Sequence, residues 1–222
     1  MKNRIVINDT FTGANSTALT AHWPDKCYIP NLADAATWTT LTGHTIPQIQ
    51  GDAASCTADA TDNSAVIDIN RHHLTIDADI RAGATTASAV NWHKFIFRCY
   101  DVSNWLGVQV GETSAASYNI NILMYEGANS TTLATRTCTY AESTDYHINI
   151  KCTGNLIYVT YSDGGADLQH SLKASYVCTS SATNPTTYPP GYYAPGTKVG
   201  FWMYIAATST AYPLIYNMKV LG

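Results

Sequence analysis

Acid–base cleavage of an acetal needs carboxyl groups held as a pair, one giving a proton and one acting as nucleophile or base. The chain has three glutamates, Glu112, Glu126 and Glu142, and none has another carboxylate two or four residues away, where a strand would place it on the same face. Asp77 and Asp79 do share a strand face, opposite an all-apolar one, and are read as pointing to solvent. A nucleophilic serine needs a base beside it, and no Gly-x-Ser-x-Gly elbow is present. Of the histidines at 22, 44, 72, 73, 93, 147 and 170, only His72 and His73 adjoin, and strand neighbours face opposite ways. There is no His-x-His pair and no Cys-x-x-Cys pair, so zinc spacing is missing. These residues point away from catalysis.

They point instead towards contact. The chain carries 15 tyrosines and five tryptophans. Aromatic rings stack on the C–H faces of sugars, Asn and Asp bind hydroxyls, and Tyr gives large contact area at low entropic cost. Trp23, Trp38 and Trp92 fall in or beside loops and are free to be exposed. Tyr188, Tyr192 and Tyr193 crowd a Pro/Gly/Tyr-rich loop over 179–196, and loops that long are often functional. These six residues are the candidate ligand- or partner-binding set; the alternative is that they merely cap an edge of the fold. Trp105 and Trp202 lie inside strands and read as core. Arg98 and Asp101 stand three apart across a strand end and read as a structural pair pinning a turn.

The elements that must position these residues are strands. Leu74-Thr75-Ile76-Asp77-Ala78-Asp79-Ile80-Arg81 alternates apolar and polar without a break. Residues 118–122 and 147–152 alternate too, and 199–205 carries bulk on both faces. Further strands are expected at 94–100, 105–110, 131–138, 155–161 and 214–221, with turns at Thr153-Gly154-Asn155 and Ser162-Asp163-Gly164-Gly165. Residues 24–64 read as short strands and long loops. No stretch carries a helical repeat, so the expectation is one all-β domain over 1–222, a two-sheet antiparallel sandwich.

Composition narrows the partners. Charged residues are only 13%, apolar ones 45%, and the net charge is −4 with no basic run, which disfavours disorder, nucleic acid and anionic membranes as readings. The start, Met1 to Thr10, has two basic residues before only three apolar ones, short of a signal peptide, and no apolar run reaches a membrane span. Synthesis in the cytoplasm without such a signal is expected. Cys27, Cys56, Cys99, Cys138, Cys152 and Cys178 are compatible with disulfides of open connectivity or with buried reduced thiols.

The order of several motifs resembles the concanavalin A-like lectin/glucanase superfamily, in its laminin G-like jelly-roll branch. The likeness is carried by Asp9-Thr10-Phe11-Thr12-Gly13, by Ala18-Leu19-Thr20-Ala21-His22-Trp23-Pro24-Asp25 with Trp38, and by Phe97-Arg98 through Asp101 and Asn104-Trp105. It continues through Ile157-Tyr158-Val159 with Asp163-Gly164 and closes on Gly196 to Phe201 with Tyr216 to Val220. The resemblance implies a jelly roll, as found in phage virion proteins, adhesins and modules attached to glycosidases. It also implies a possible structural calcium between the first and last strands, at Asp9 and Asn217. Relatives commonly have Asp where Asn217 stands, so a ligand charge is missing. The glucanases of the superfamily set their carboxylates as Glu-x-Asp-x-x-Glu or similar, a pattern this chain lacks.

Three functions follow as expectations. The first is a non-catalytic structural or surface protein of a tailed-phage virion: a capsid decoration, fibre or baseplate module. It would be made in the host cytoplasm and released by lysis. Its partners would be other virion proteins and its own copies in a homo-oligomer, and also host surface glycans. The second is an extracellular carbohydrate-binding lectin or adhesin module outside any virion. The third is a glycoside hydrolase, which the missing carboxylate pair argues against.

Overall fold

The computed structural model describes residues 4–29, 37–85, 90–114, 117–127, 129–163, 169–175, 196–206 and 209–222. In chain order the strands are β1 (Ile5–Asp9), β2 (Lys26–Cys27), β3 (Gln48–Ile49), β4 (Ala54–Ser55), β5 (Asn63–Asp68) and β6 (Leu74–Arg81). They continue with β7 (Ala84–Thr85), β8 (Asn91–Asp101), β9 (Asn104–Ser114), β10 (Ser117–Glu126), β11 (Asn129–Thr137) and β12 (Asp145–Thr153). The last are β13 (Leu156–Asp163), β14 (Gln169–Ser175), β15 (Lys198–Ile205), β16 (Ser209–Ala211) and β17 (Leu214–Leu221). One 3-10 turn, Leu19–Ala21, is the helical element among the described residues.

Apart from β7 and β16, which pair with each other in a two-stranded ribbon, the strands form two antiparallel sheets packed as the expected jelly-roll sandwich. One runs β14-β13-β12-β6-β17-β1-β2, with β3 and β4 attached beside β17; the other runs β11-β10-β9-β8-β15-β5. The alternation read in 74–81 is realised residue by residue: β6 buries Leu74, Ile76, Ala78 and Ile80 and turns the residues between them outward. Facing rows from the two sheets close the core, Ile76, Ile80, Ile148 and Ile150 against Phe95, Phe97, Val108 and Phe201. Apolar surface on each inner face finds its cover on the other, which is why neither sheet stands alone. The 24–64 stretch is indeed short strands and long connections. β5 and β14 go beyond the sequence reading. β5 is buried on both faces over Asn63–Ile67 and so does not alternate, while β14 is a mostly polar strand at the edge of its sheet.

The first and last strands are neighbours. β1 pairs antiparallel with β17, and beyond them Arg4 N–H donates to Gly222 O at 3.2 Å and Gly222 N–H to Arg4 O at 3.0 Å.

Two local expectations change. Arg98 does not pair with Asp101: it is fully buried, with Nε donating to His72 O at 2.7 Å and Nη2 to Gly154 O at 2.8 Å, so it ties the two sheets' turns together. Asp101 pins the turn by itself, accepting from Ser103 N–H and Asn104 Nδ2, both at 2.8 Å. Cys56, Cys99 and Cys152 are buried free thiols. Burial pushes Cys99 up to about 12 and Cys152 up to about 11, so both stay protonated and unreactive. Cys178 lies outside the described residues.

Candidate functional site

The outer face of the six-stranded sheet gathers aromatics around one cation. β8 turns His93, Phe95 and Phe97 inward, so Trp92, Lys94 and Ile96 face out. The same parity puts Trp202 and Tyr204 of β15, Trp105 and Gln109 of β9, and Asn121 and Tyr125 of β10 on that face. Register aligns them: Trp202 lies opposite Lys94, Lys94 opposite Gln109 and Gln109 opposite Asn121. Tyr204 lies opposite Trp92, and Trp92 opposite Gly111. Gly111 must be glycine, since its φ is +138° and a Cβ there would meet Asn91 O at 2.4 Å and the Trp92 Cα at 2.6 Å.

Lys94 is held in a cage of indoles. Its Nζ sits 3.8 Å from the ring centre of Trp202, 4.3 Å from that of Trp92 and 5.0 Å from that of Trp105. Trp92 stacks on Tyr204 with centres 5.5 Å apart, and Trp105 stacks on Tyr125 at 4.9 Å and nearly parallel. Trp202 stands edge-on to both tryptophans, and its Nε1 donates to Asp62 at 2.8 Å. On the β5 side the face is closed: Leu41 is buried against Val66, Ile96 and Trp105, and the His44 ring lies 4.3 Å from Trp202. Towards β9 and β10, Gln109, Asn121 and Tyr125 are partly exposed, as are Trp202 and Tyr204. Burial pushes the Lys94 ammonium down to about 7, against the pull of the Asp62 carboxylate. The surface therefore offers ring faces, amide groups and a poorly hydrated cation within reach of one another.

The candidates from sequence fall in different places. Trp92 belongs to this face, but it lies within β8 and is buried there against Tyr204 and Trp202, not free beside a loop. Trp38 does not face solvent: it is fully buried between Phe11 and Phe201, with Nε1 donating to Asp9 at 2.7 Å, and is a core residue. Trp23 is 57% exposed, just after the 3-10 turn. Tyr188, Tyr192 and Tyr193 lie outside the described residues. Trp202, read as core, instead faces out and forms one wall of the cage, and Lys94 drew no notice in the sequence. The available signal was the bulk on both faces of 199–205, which a strand with only one buried face does not need.

Asp9 and Asn217, the pair the resemblance offered for calcium, are not brought together. Asp9 lies opposite Met218 and points into the core, where Oδ1 accepts from Phe11 N–H at 2.8 Å and meets His22 Nε2 at 2.8 Å, while Oδ2 accepts from Trp38 Nε1. Asn217 is on the other face, its Nδ2 donating to Asp79 at 3.3 Å; its buried Oδ1 has no partner among the described residues, and Asp9, which pairs with the next residue Met218, does not join it. Among the described residues no cluster of three His, Cys, Asp or Glu side chains could hold a metal ion.

The outer face of the nine-stranded sheet is polar. Asp77 and Asp79 point outward as expected and are engaged: Asn149 Nδ2 donates to Asp77 at 2.8 Å, and His147 Nδ1 lies 2.8 Å from Asp79. Beside them an open groove of about 470 Å³ is lined by Lys151, Thr153, Leu156, Tyr158 and Lys173.

No protein-family model matches the chain, and no curated protein is significantly similar to it. Solved structures share its fold. A carbohydrate-binding module, CBM66, from Bacillus subtilis aligns with TM-score 0.54 at 15% identity, covering 83% of this chain and 95% of its own. The exoplasmic/lumenal domain of VIP36, in a form bound to Ca2+ and Man3GlcNAc, aligns with TM-score 0.54 at 14% identity over 82% of each chain. The CBM2 module of the evolved Dit of Lactobacillus casei BL23 phage J-1 aligns with TM-score 0.52 at 12% identity, covering 99% of this chain and 96% of its own. The chain thus shares the two-sheet β-sandwich fold of these structures.

Proposed function

We propose that this chain is a non-catalytic carbohydrate-binding module, carried as a surface protein of a tailed-phage particle, and that it seats its glycan on the aromatic outer face of the six-stranded sheet. The observation behind this reading is the juxtaposition of Trp92, Trp202 and Tyr204 with Gln109 and Asn121 on adjacent strands. Ring faces take the apolar side of a pyranose while amides take its hydroxyls. The fold shared with CBM66, VIP36 and the phage Dit module supports a sugar-binding role, and the last supports a place on a virion. Weak single sites gain avidity on a symmetric particle, so display as a homo-oligomer fits the reading.

A glycan microarray probed with the protein on a multivalent scaffold tests it. Binding to one sugar class, lost in Trp202→Ala but kept in Trp23→Ala, is the expected result. A blank array sinks the sugar-binding reading and leaves a purely structural role. The virion assignment is checked separately by mass mapping of purified particles for this chain. New reducing ends released from a polysaccharide panel would overturn the non-catalytic assignment.

A further inference from the structure

We infer that the glycan recognised on this face carries an acid group, a uronate carboxylate, and that Lys94 is its counter-ion. The inference rests on the proposed glycan site and goes further, to the class of sugar.

Lys94 is 7% exposed, yet it makes no hydrogen bond and no ion pair among the described residues. Among the described residues its Nζ is met by the faces of Trp92, Trp105 and Trp202, and the Asp62 carboxylate acts on it through space. Indole faces accept a cation but leave N–H groups of the ammonium undirected, and removing a charge from water without a charged partner is costly. Met in its place would fill the same cage at no such cost. The outward positions of β8, β9, β10 and β15 around it are otherwise uncharged, with Lys198 at the strand end engaged to Tyr100 O at 3.3 Å. The side chain opposite Lys94 on the open side is Gln109, and beyond it Asn121, both partly exposed. A sugar seated beside Trp202, over the partly exposed Gln109 and Asn121, would set a substituent beside Nζ and its hydroxyls beside the amides. A carboxylate there completes the ammonium's hydrogen bonding and neutralises its charge in a poorly hydrated setting, where such pairs are strongest.

The groups facing Lys94 set its pH behaviour. They are the Asp62 carboxylate on Trp202 Nε1, the His44 imidazole against the same ring, and the phenols of Tyr125 and Tyr204. Burial holds His44 below its ordinary value, so above pH 6.5 it is neutral and does not compete. An acidic ligand favours charged Lys94. Affinity for it must therefore fall as the pH rises past about 7 and level off once Lys94 is neutral in the complex as well.

The test uses matched uronate and neutral hexose oligomers of the gluco, galacto and manno series, titrated calorimetrically into the intact protein across that range. We expect a uronate to bind about tenfold to a hundredfold better than its neutral partner, with the advantage lost at alkaline pH. Lys94→Met should bring the acid-to-neutral ratio close to one. The wild-type pH profile carries the test without any variant, should Lys94→Met fail to fold. Equal binding of both members of a pair, or a ratio unmoved by pH and by Lys94→Met, overturns the acid preference and leaves the glycan site standing. A lower melting temperature in Lys94→Met with that ratio unmoved means that the cage is structural and overturns it too. Binding by no oligomer overturns the inference and the site together.

Discussion

His93 is completely enclosed, and its two ring nitrogens have unlike partners. Nε2 lies 3.0 Å from the Leu214 carbonyl oxygen, which can only accept, so Nε2 carries the proton. Nδ1 then accepts from the Tyr140 hydroxyl at 2.7 Å. Burial favours this neutral ring and pushes its pKa from 6.5 down to about 3. Between those values the unfolded chain binds a proton that the folded one refuses, so stability is full above 6.5 and falls as the pH drops towards 3. We expect a loss approaching roughly 1.4 kcal/mol per pH unit from this residue. Urea unfolding at stepped pH measures it, and His93→Gln should flatten the slope; an identical slope in the variant would assign the acid sensitivity elsewhere. Lys94 has the same sign in a higher window, destabilising the fold below about 7 and releasing that strain as the pH climbs towards 10.5. Neither residue could be singled out from the sequence, because environment and not residue type makes them unusual.

Among the elements, legibility followed the number of buried faces. β6 has one face buried and one wet, and its alternation gave strand, boundaries and orientation together. β15 has Val199, Phe201 and Met203 in the sandwich core and Trp202 and Tyr204 on the aromatic face, so periodicity named the strand without saying which tryptophan faced where. Trp38 shows the converse: loop position suggested exposure, but the chain there folds back over Phe11 and Phe201. The aromatic face depends on β9 passing close beneath Trp92, which Gly111 permits. Gly111→Ala would force a Cβ against the Asn91 carbonyl and the Trp92 backbone at a strained φ. We expect it to cost about 2 kcal/mol or more and to shift the tryptophan fluorescence. Chemical denaturation followed by that signal checks both.

At the scale of the whole molecule, the two outward faces divide the labour of a sandwich unequally. The nine-stranded sheet shows water a lattice of Asp77, Asp79, His147 and Asn149, already engaged with one another. The six-stranded sheet keeps its aromatics and one cation, with the partly exposed amides of β9 and β10 beside them. A sequence can announce a sandwich, but which of its two outer surfaces is spare depends on register across strands far apart in the chain, such as Lys94 with Trp202.

The pairing of β1 with β17 sets how the molecule carries load. Force applied through Arg4 and Gly222 pulls apart two adjacent strands from the same end, across their hydrogen bonds and not along them. Bonds loaded that way open one after another, as in a zipper, whereas shear would load the whole ladder at once. Single-molecule stretching from these ends should show a low first rupture force, and pulling instead from Gly222 and the far end of β1 at Asp9, which loads the ladder in shear, should raise it.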